Sequence, residues 1–217
     1  MLERLKKEWF IFAIILASFA FGLYVYPELP EQIPRHWNIR GEVDGWSGKT
    51  FGVLFFPLLN LALYPLFLLL PRLDPRRANY MHFSKAYTAI RVTLHLFFAV
   101  LYVISLLAAL GYPLDINLIV KFIVSLLILI LGNYMGKFKH NYFVGIKTPW
   151  TLANEEVWFK THRFAAPLWV AAGLLGMALS FFHQAWAAYL MFGGIMAAAF
   201  IPMVYSYVIF RKLGQDK

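Results

Sequence analysis

Six apolar runs, near 9–26, 51–71, 87–111, 117–136, 164–182 and 186–210, constrain this 217-residue chain more than any other feature. Each is close to the ~20 residues that a helix needs to cross ~30 Å of hydrocarbon. Inside a bilayer every backbone N–H and C=O must find a partner within the protein, so runs of this length are read as helices. With 61% of residues hydrophobic and 14% charged, the chain has more apolar surface than a soluble domain can cover. The expected fold class is an all-α integral membrane protein with six transmembrane helices. By connectivity alone these helices make 3+3 halves of inverted topology.

The first run follows MLERLKKE and superficially resembles a secretion signal. No small-residue cleavage site follows it, and Tyr24, Tyr26 and Pro27 read as an interfacial end, so it is kept as the first span. Six spans put both termini on one side. With the amino terminus in the cytoplasm, the inner segments hold fifteen Lys and Arg against three outside (Arg35, Arg40, Lys49). That asymmetry predicts cytoplasmic termini. The formal net charge of +9 is explained by this orientation, since the basic residues flank apolar runs and do not line a soluble face that would hold nucleic acid.

Between the first two spans lies PELPEQIPRHWNIRGEVDGWSGKT, a Pro- and Gly-rich outer loop expected to form ordered turns. Its candidate binding residues are His36, Asn38, Gly41 and Trp46. After the fourth span comes the inner loop GNYMGKFKHNYFVGIKTPWTLANEEVWFKTH, the densest polar stretch in the chain. Pro149 disfavours helix at Thr148, and Thr151 or Asn154 can cap a short helix carrying Glu155 and Glu156 in its first turn. Sliding the chain by 104 residues aligns His36, Gly41 and Trp46 with His140, Gly145 and Trp150, although the flanking residues do not match.

Within the spans, Pro57 and Pro65 predict a kink, with Asn60 and Tyr64 placed to satisfy freed backbone groups or a neighbour. Arg91 and His95, one turn apart, read either as an intramembrane polar site or as an arginine snorkelling to the cytoplasmic surface beside a histidine bonded to another helix. Lys121 is expected to snorkel outward. Small residues (Ala171, Ala172, Gly173, Gly176; Gly193, Gly194, Ala197 to Ala199) suggest close packing of the last two helices.

Two resemblances cover most of the chain. Asn133, Gly136, Lys137, Asn141, Phe143, Gly145, Ile146, Lys147, Thr148, Pro149, Trp150, Thr151, Leu152, Val157, Trp158, Thr161 and His162 follow the order of a signature of the SdpI-type family of bacterial membrane immunity proteins. Lys147 stands where that family usually has Arg, so a point ammonium replaces a bidentate fork. Pro30, Ile33, Pro34, His36, Trp37, Asn38, Gly41, Asp44, Gly45, Trp46 and Lys49 resemble a domain of unknown function that commonly precedes such sequences. The division expected is a two-helix unit at 1–86 with the outer loop, and an SdpI-like four-helix unit at 87–217 with a cytoplasmic signature loop at 137–163.

The chemistry of the residues narrows the function. Cysteine is absent, which removes disulfides, thiolate metal sites and thiol nucleophiles. There is no His-Glu-x-x-His spacing, no Ser/His/Asp order and no glycine-rich phosphate loop, so no catalytic, metal or cofactor residues are assigned. A small-molecule or lipid transporter is the alternative, weakened by the lack of an acidic residue within any span to couple an ion; a membrane-embedded enzyme is the less favoured one. The resemblance implies a bacterial plasma-membrane protein that protects its cell from a secreted, membrane-active peptide toxin, with a cytoplasmic transcriptional repressor as a second partner and the lipid bilayer as its medium. The candidate binding residues of the inner loop are Asn133, Lys137, Asn141, Gly145, Lys147, Thr148, Pro149, Trp150, Thr151, Trp158 and His162.

Overall fold

The computed structural model describes residues 8–215, and six of its helices are long and apolar enough to cross a membrane. Helix α1 (Trp9–Val25) ends where Pro27 opens a 3-10 turn, Tyr26–Glu28. An antiparallel hairpin follows, β1 (Gln32–Trp37) with β2 (Val43–Gly48), and then α2 (Lys49–Leu73). A 3-10 segment, Arg77–Phe83, leads into α3 (Ser84–Ala109), followed by α4 (Ile116–Met135). The short α5 (Pro149–Ala153) precedes α6 (Glu155–Leu179) and α7 (Ala185–Gln215). Large apolar side chains stay exposed along the helices, among them Leu16, Leu23, Leu174 and Phe200. Such surface is a liability in water and the ordinary outer face in lipid.

The chain forms two compact units, each discontinuous: residues 1–66 with 92–120, and residues 67–91 with 121–217. The sequence-based division at 86/87 follows the order of the chain, whereas this grouping follows spatial contact.

In the first unit the outer loop is a hairpin, and its turn chemistry is readable. Asn38 Oδ1 accepts from the backbone N–H of Arg40 at 2.8 Å and of Glu42 at 3.1 Å, while Gly41 turns the chain at φ +81°. Asn and Gly suit these places because one bonds its own turn and the other tolerates positive φ. Register shifts around His36 bend β1 beside the pairing with Gly45. Ile33 is fully buried and packs in a cluster with Val25, Leu29, Val53, Tyr102 and Leu106. Burying a side chain of that size contributes about 1.5–3 kcal/mol. Ser105 Oγ donates to the Pro34 carbonyl at 2.8 Å, and Asn117 Nδ2 to that of Ile39 at 3.0 Å, so α3 and α4 hold the hairpin by its main chain.

Several polar groups inside the first unit are paired across helices. Asn60 and His95 exchange two contacts, Nδ2 to the His95 carbonyl at 3.3 Å and Oδ1 with Nδ1 at 3.0 Å, and Tyr64 donates to Glu8 at 2.9 Å. These pairings favour the neighbour-bonding reading of His95.

The second unit corrects two expectations and extends another. First, the helix carrying Glu155 and Glu156 is not short. Asn154 caps it through the N–H groups of Glu156 and Val157, and it runs without a break to Leu179, so the span begins nine residues before 164. Second, α6 and α7 pack together as expected, with Gly176 facing Met191 of α7, and Gly173 and Gly176 also serve a second contact. A Cβ on Gly173 would sit 2.6 Å from the Leu129 backbone, one on Gly176 2.3 Å from Ser125 Oγ, and one on Gly132 2.7 Å from the Val170 backbone. These glycines let α4 and α6 approach closely. Third, Arg91 is 1% exposed with its guanidinium 5.9 Å from the Tyr87 ring centroid, so it does not reach the surface. Lys121 is also buried, and its ammonium finds the Phe182 carbonyl just past the end of α6.

Candidate functional site

The inner loop, residues 136–154, begins at the end of α4 and returns through α5 into α6. Its backbone is fixed by side chains that reach into it from its own sequence, from α6 and from the segment after α2.

Asn141 is fully buried and makes the centre. Its Oδ1 accepts from the N–H groups of Phe143 at 2.9 Å and Val144 at 2.7 Å. Its Nδ2 donates to the carbonyls of Lys139 at 2.8 Å and Val144 at 2.9 Å. One amide therefore uses both its donors and its acceptor to close a turn, which a carboxylate or an aliphatic of similar size could not do.

Asp74, just beyond α2, is the second anchor. Its Oδ1 accepts from the Arg76 N–H at 2.7 Å, and its Oδ2 accepts from the Tyr142 N–H at 2.9 Å and the Tyr80 hydroxyl at 3.1 Å. The oriented segment then grips the loop. The Arg76 guanidinium hydrogen-bonds His140 Nε2, donates to the Leu152 carbonyl at 3.2 Å, and lies 4.8 Å from the Tyr142 ring centroid. Asn79 Nδ2 donates to the His140 carbonyl at 2.7 Å. Burial of His140, and then the positive charge of Arg76, hold its imidazole pKa below the ordinary value.

The third support is α6. His162 accepts the Ile146 N–H at Nε2, 2.9 Å, while Nδ1 faces the Trp158 carbonyl at 2.8 Å. An acceptor at Nε2 requires the neutral ring with its proton on Nδ1. Trp158 stacks on that ring at 4.0 Å and donates its indole N–H to the Phe138 carbonyl at 2.9 Å. Gly145 passes directly over the imidazole at φ +117°, and a Cβ there would lie 2.3 Å from Nε2. Glycine is required both by the backbone angle and by this approach.

At the far end, Thr148 is extended at φ −112°, ψ 161°, and caps α5 in a capping box with Thr151. Thr148 Oγ1 also shares a hydrogen bond with Ser206 Oγ on α7 at 2.9 Å, and Thr151 donates to the Ile146 carbonyl at 2.9 Å. Trp150 packs 4.9 Å from Tyr207 and is half-buried.

The candidate residues thus separate by environment. Asn141, Thr148, Thr151, Trp158 and His162 point inward with their polar atoms engaged, whereas Asn133, Lys137, Lys147 and Pro149 are exposed. Lys147 donates to the Phe143 carbonyl at 3.2 Å, Lys137 sits 4.8 Å from the Tyr134 ring centroid, and Lys160 pairs with Glu156 at 2.7 Å. The outer surface of the loop is cationic and aromatic. In the hairpin, His36 pairs with Asp44, Trp46 is exposed, and Asn38 and Gly41 are occupied by the turn. Contact with Asn38, and then Arg40, lowers the Glu42 carboxyl below its usual range. The aligned Trp46 and Trp150 fall on a strand and a helix respectively, so the two loops do not share local structure.

Asp74, Asn79 and Tyr80 were missed by the sequence reading, and Arg76 entered it only as a topological charge. The available signal was Asp74 itself, a carboxylate amid Arg72, Arg76 and Arg77. Among the described residues, no three His, Asp or Glu side chains gather as a metal site.

Residues 137–206 match the SdpI/YfhL protein family, and residues 13–61 match a domain of unknown function, DUF1648. Over 98% of its length the chain is 28% identical to the Immunity protein SdpI of Bacillus subtilis (strain 168), covering all of that protein. No solved structure matches.

Proposed function

We propose that this chain, whose residues 137–206 are an SdpI-family region, is a multi-pass membrane immunity protein that protects its cell from a membrane-active peptide toxin. The observation that carries the reading is the likeness to Immunity protein SdpI along 98% of this chain and all of that protein, which includes the hairpin as well as the inner loop. The braced inner loop supports it. A turn whose buried amides and hydroxyls are spent on its own backbone holds Lys147, Pro149 and Trp150 in a fixed arrangement, as a recognition surface requires. The Lys and Arg asymmetry supports a cytoplasmic side for this loop and both termini. There it would be available to hold a transcriptional repressor.

The test is expression in a toxin-sensitive host challenged with a secreted, membrane-active peptide toxin. Protection is expected at normal membrane abundance. Equal killing of cells with and without the protein overturns the immunity reading. Failure of a neighbouring repressor to move to the membrane fraction on challenge overturns the signalling part alone.

A further inference from the structure

A cavity of about 390 Å3 lies in the second unit where α3 begins and α4 ends, apart from the Asn141 turn. Met81, Phe83 and Ala86 form its apolar side, and His82, Ser84, Lys85, Tyr134 and Lys137 its polar side. Both bounding helices are membrane spans meeting their ends here, so the cavity opens at the level where acyl chains give way to headgroups. Met81, His82, Ser84, Lys85 and Lys137 are exposed at its rim.

Among the described residues its charge has no carboxylate to offset it: none lines the cavity, and the first turn of α3 carries none. Lys160, by contrast, pairs with Glu156, and Arg76 with His140 and the Leu152 carbonyl. Lys137 leans on the Tyr134 ring and Lys85 on no carboxylate among the described residues. Two ammonium groups flanked by serine and tyrosine hydroxyls supply donors without acceptor competition, the arrangement that a phosphate takes. The adjoining apolar wall suits the glycerol and upper acyl region that a lipid phosphate brings with it and a free phosphate lacks.

From this we infer that the cavity binds the phosphate headgroup of an anionic phospholipid, with Lys85 and Lys137 as its charge ligands. The inference stands apart from immunity, because a transporter or any other membrane protein with this cavity would bind the same lipid. Basic pockets at helix ends attract anionic headgroups through the same electrostatics that draw polybasic segments to charged membranes.

The full chain, delipidated in detergent, is titrated with phosphatidylglycerol or phosphatidylcholine, with bound lipid counted by native mass spectrometry. The parent is expected to prefer phosphatidylglycerol. Lys85→Gln and Lys137→Gln should each raise the Kd for it about fivefold, and the pair about thirtyfold, with phosphatidylcholine binding unchanged. The charge-matched control Lys160→Gln with Lys212→Gln should bind like the parent. Thermal stability in phosphatidylcholine checks that each variant folds, and the single variants give the readout if the double one does not. Equal affinity for the two lipids, or a double variant or control pair that contradicts these expectations, overturns the site. Displacement of phosphatidylglycerol by inorganic phosphate at millimolar concentration overturns the lipid assignment in favour of a free-phosphate site.

Discussion

Replacing Gly145 by alanine should damage the inner loop through two separable causes, and the structure allows each to be sized. The backbone at φ +117° is a region that L residues avoid, which costs about 1–2 kcal/mol. The new methyl would also lie 2.3 Å from His162 Nε2, so the imidazole must give way. Displacing it breaks the 2.9 Å bond from the Ile146 N–H and leaves that donor without its acceptor, about 1–3 kcal/mol more. The total expected is about 2–5 kcal/mol. In a His162→Ala background the imidazole is gone, the methyl meets only the Trp158 ring edge at 3.2 Å, which can shift into the vacated space, and Gly145→Ala should cost little beyond the backbone part. The double-mutant cycle therefore predicts a coupling of about 1–3 kcal/mol. Reversible unfolding in mixed micelles with increasing sodium dodecyl sulfate reads the four stabilities. Equal costs of Gly145→Ala in the two backgrounds would refute the argument that the imidazole occupies the glycine's side.

Asn141→Ala should lose several loop bonds at once and lower stability by about 2–4 kcal/mol, seen in the same assay; loss of protection at unchanged abundance and stability in Thr148→Ala would assign the loop a working role beyond its brace. His140 gives a pH signature. Its folded pKa lies below the unfolded value of about 6.5, so the unfolded chain binds more protons in that interval. Its stability contribution is complete above pH ~6.5 and shrinks as pH falls toward the folded pKa, and a His140→Gln variant should flatten that slope in thermal melts. Cysteines at Ser47 and Ser84, the first in this Cys-free chain, should be labelled by an impermeant reagent from outside and inside respectively, and the reverse pattern would invert the topology. Chelation during purification should leave melting and protection unchanged, whereas a stoichiometric metal lost together with activity would restore the enzyme reading.

The spans were legible because their signal is local: about twenty apolar residues in a row specify a membrane helix whatever lies elsewhere. The extended Thr148 and the Asn154 cap were legible for the same reason, being set by neighbours within three residues. The hairpin was only half legible. Its Asn and Gly announced turns, but register shifts at His36 obscure the strand alternation. What remained hidden was long-range. Asp74 reaches Tyr142 across 68 positions and Arg76 reaches Leu152 across 76, and no periodicity connects them. Gly173 and Gly176 were recognisable as close-packing residues, yet composition could not say which helix they would meet. The signature residues themselves were legible as a group, while their division into inward braces and outward surface depends on the turn that Asn141 closes.

That turn also has a kinetic meaning. Because Asn141, Asp74 and His162 hold the loop in one conformation, a partner that docked on it would require little ordering of backbone, and its association rate would be set by encounter and orientation. Its exposed lysines then act on the approach more than on the final grip, so added salt should slow capture of an acidic partner while leaving its residence time nearly constant.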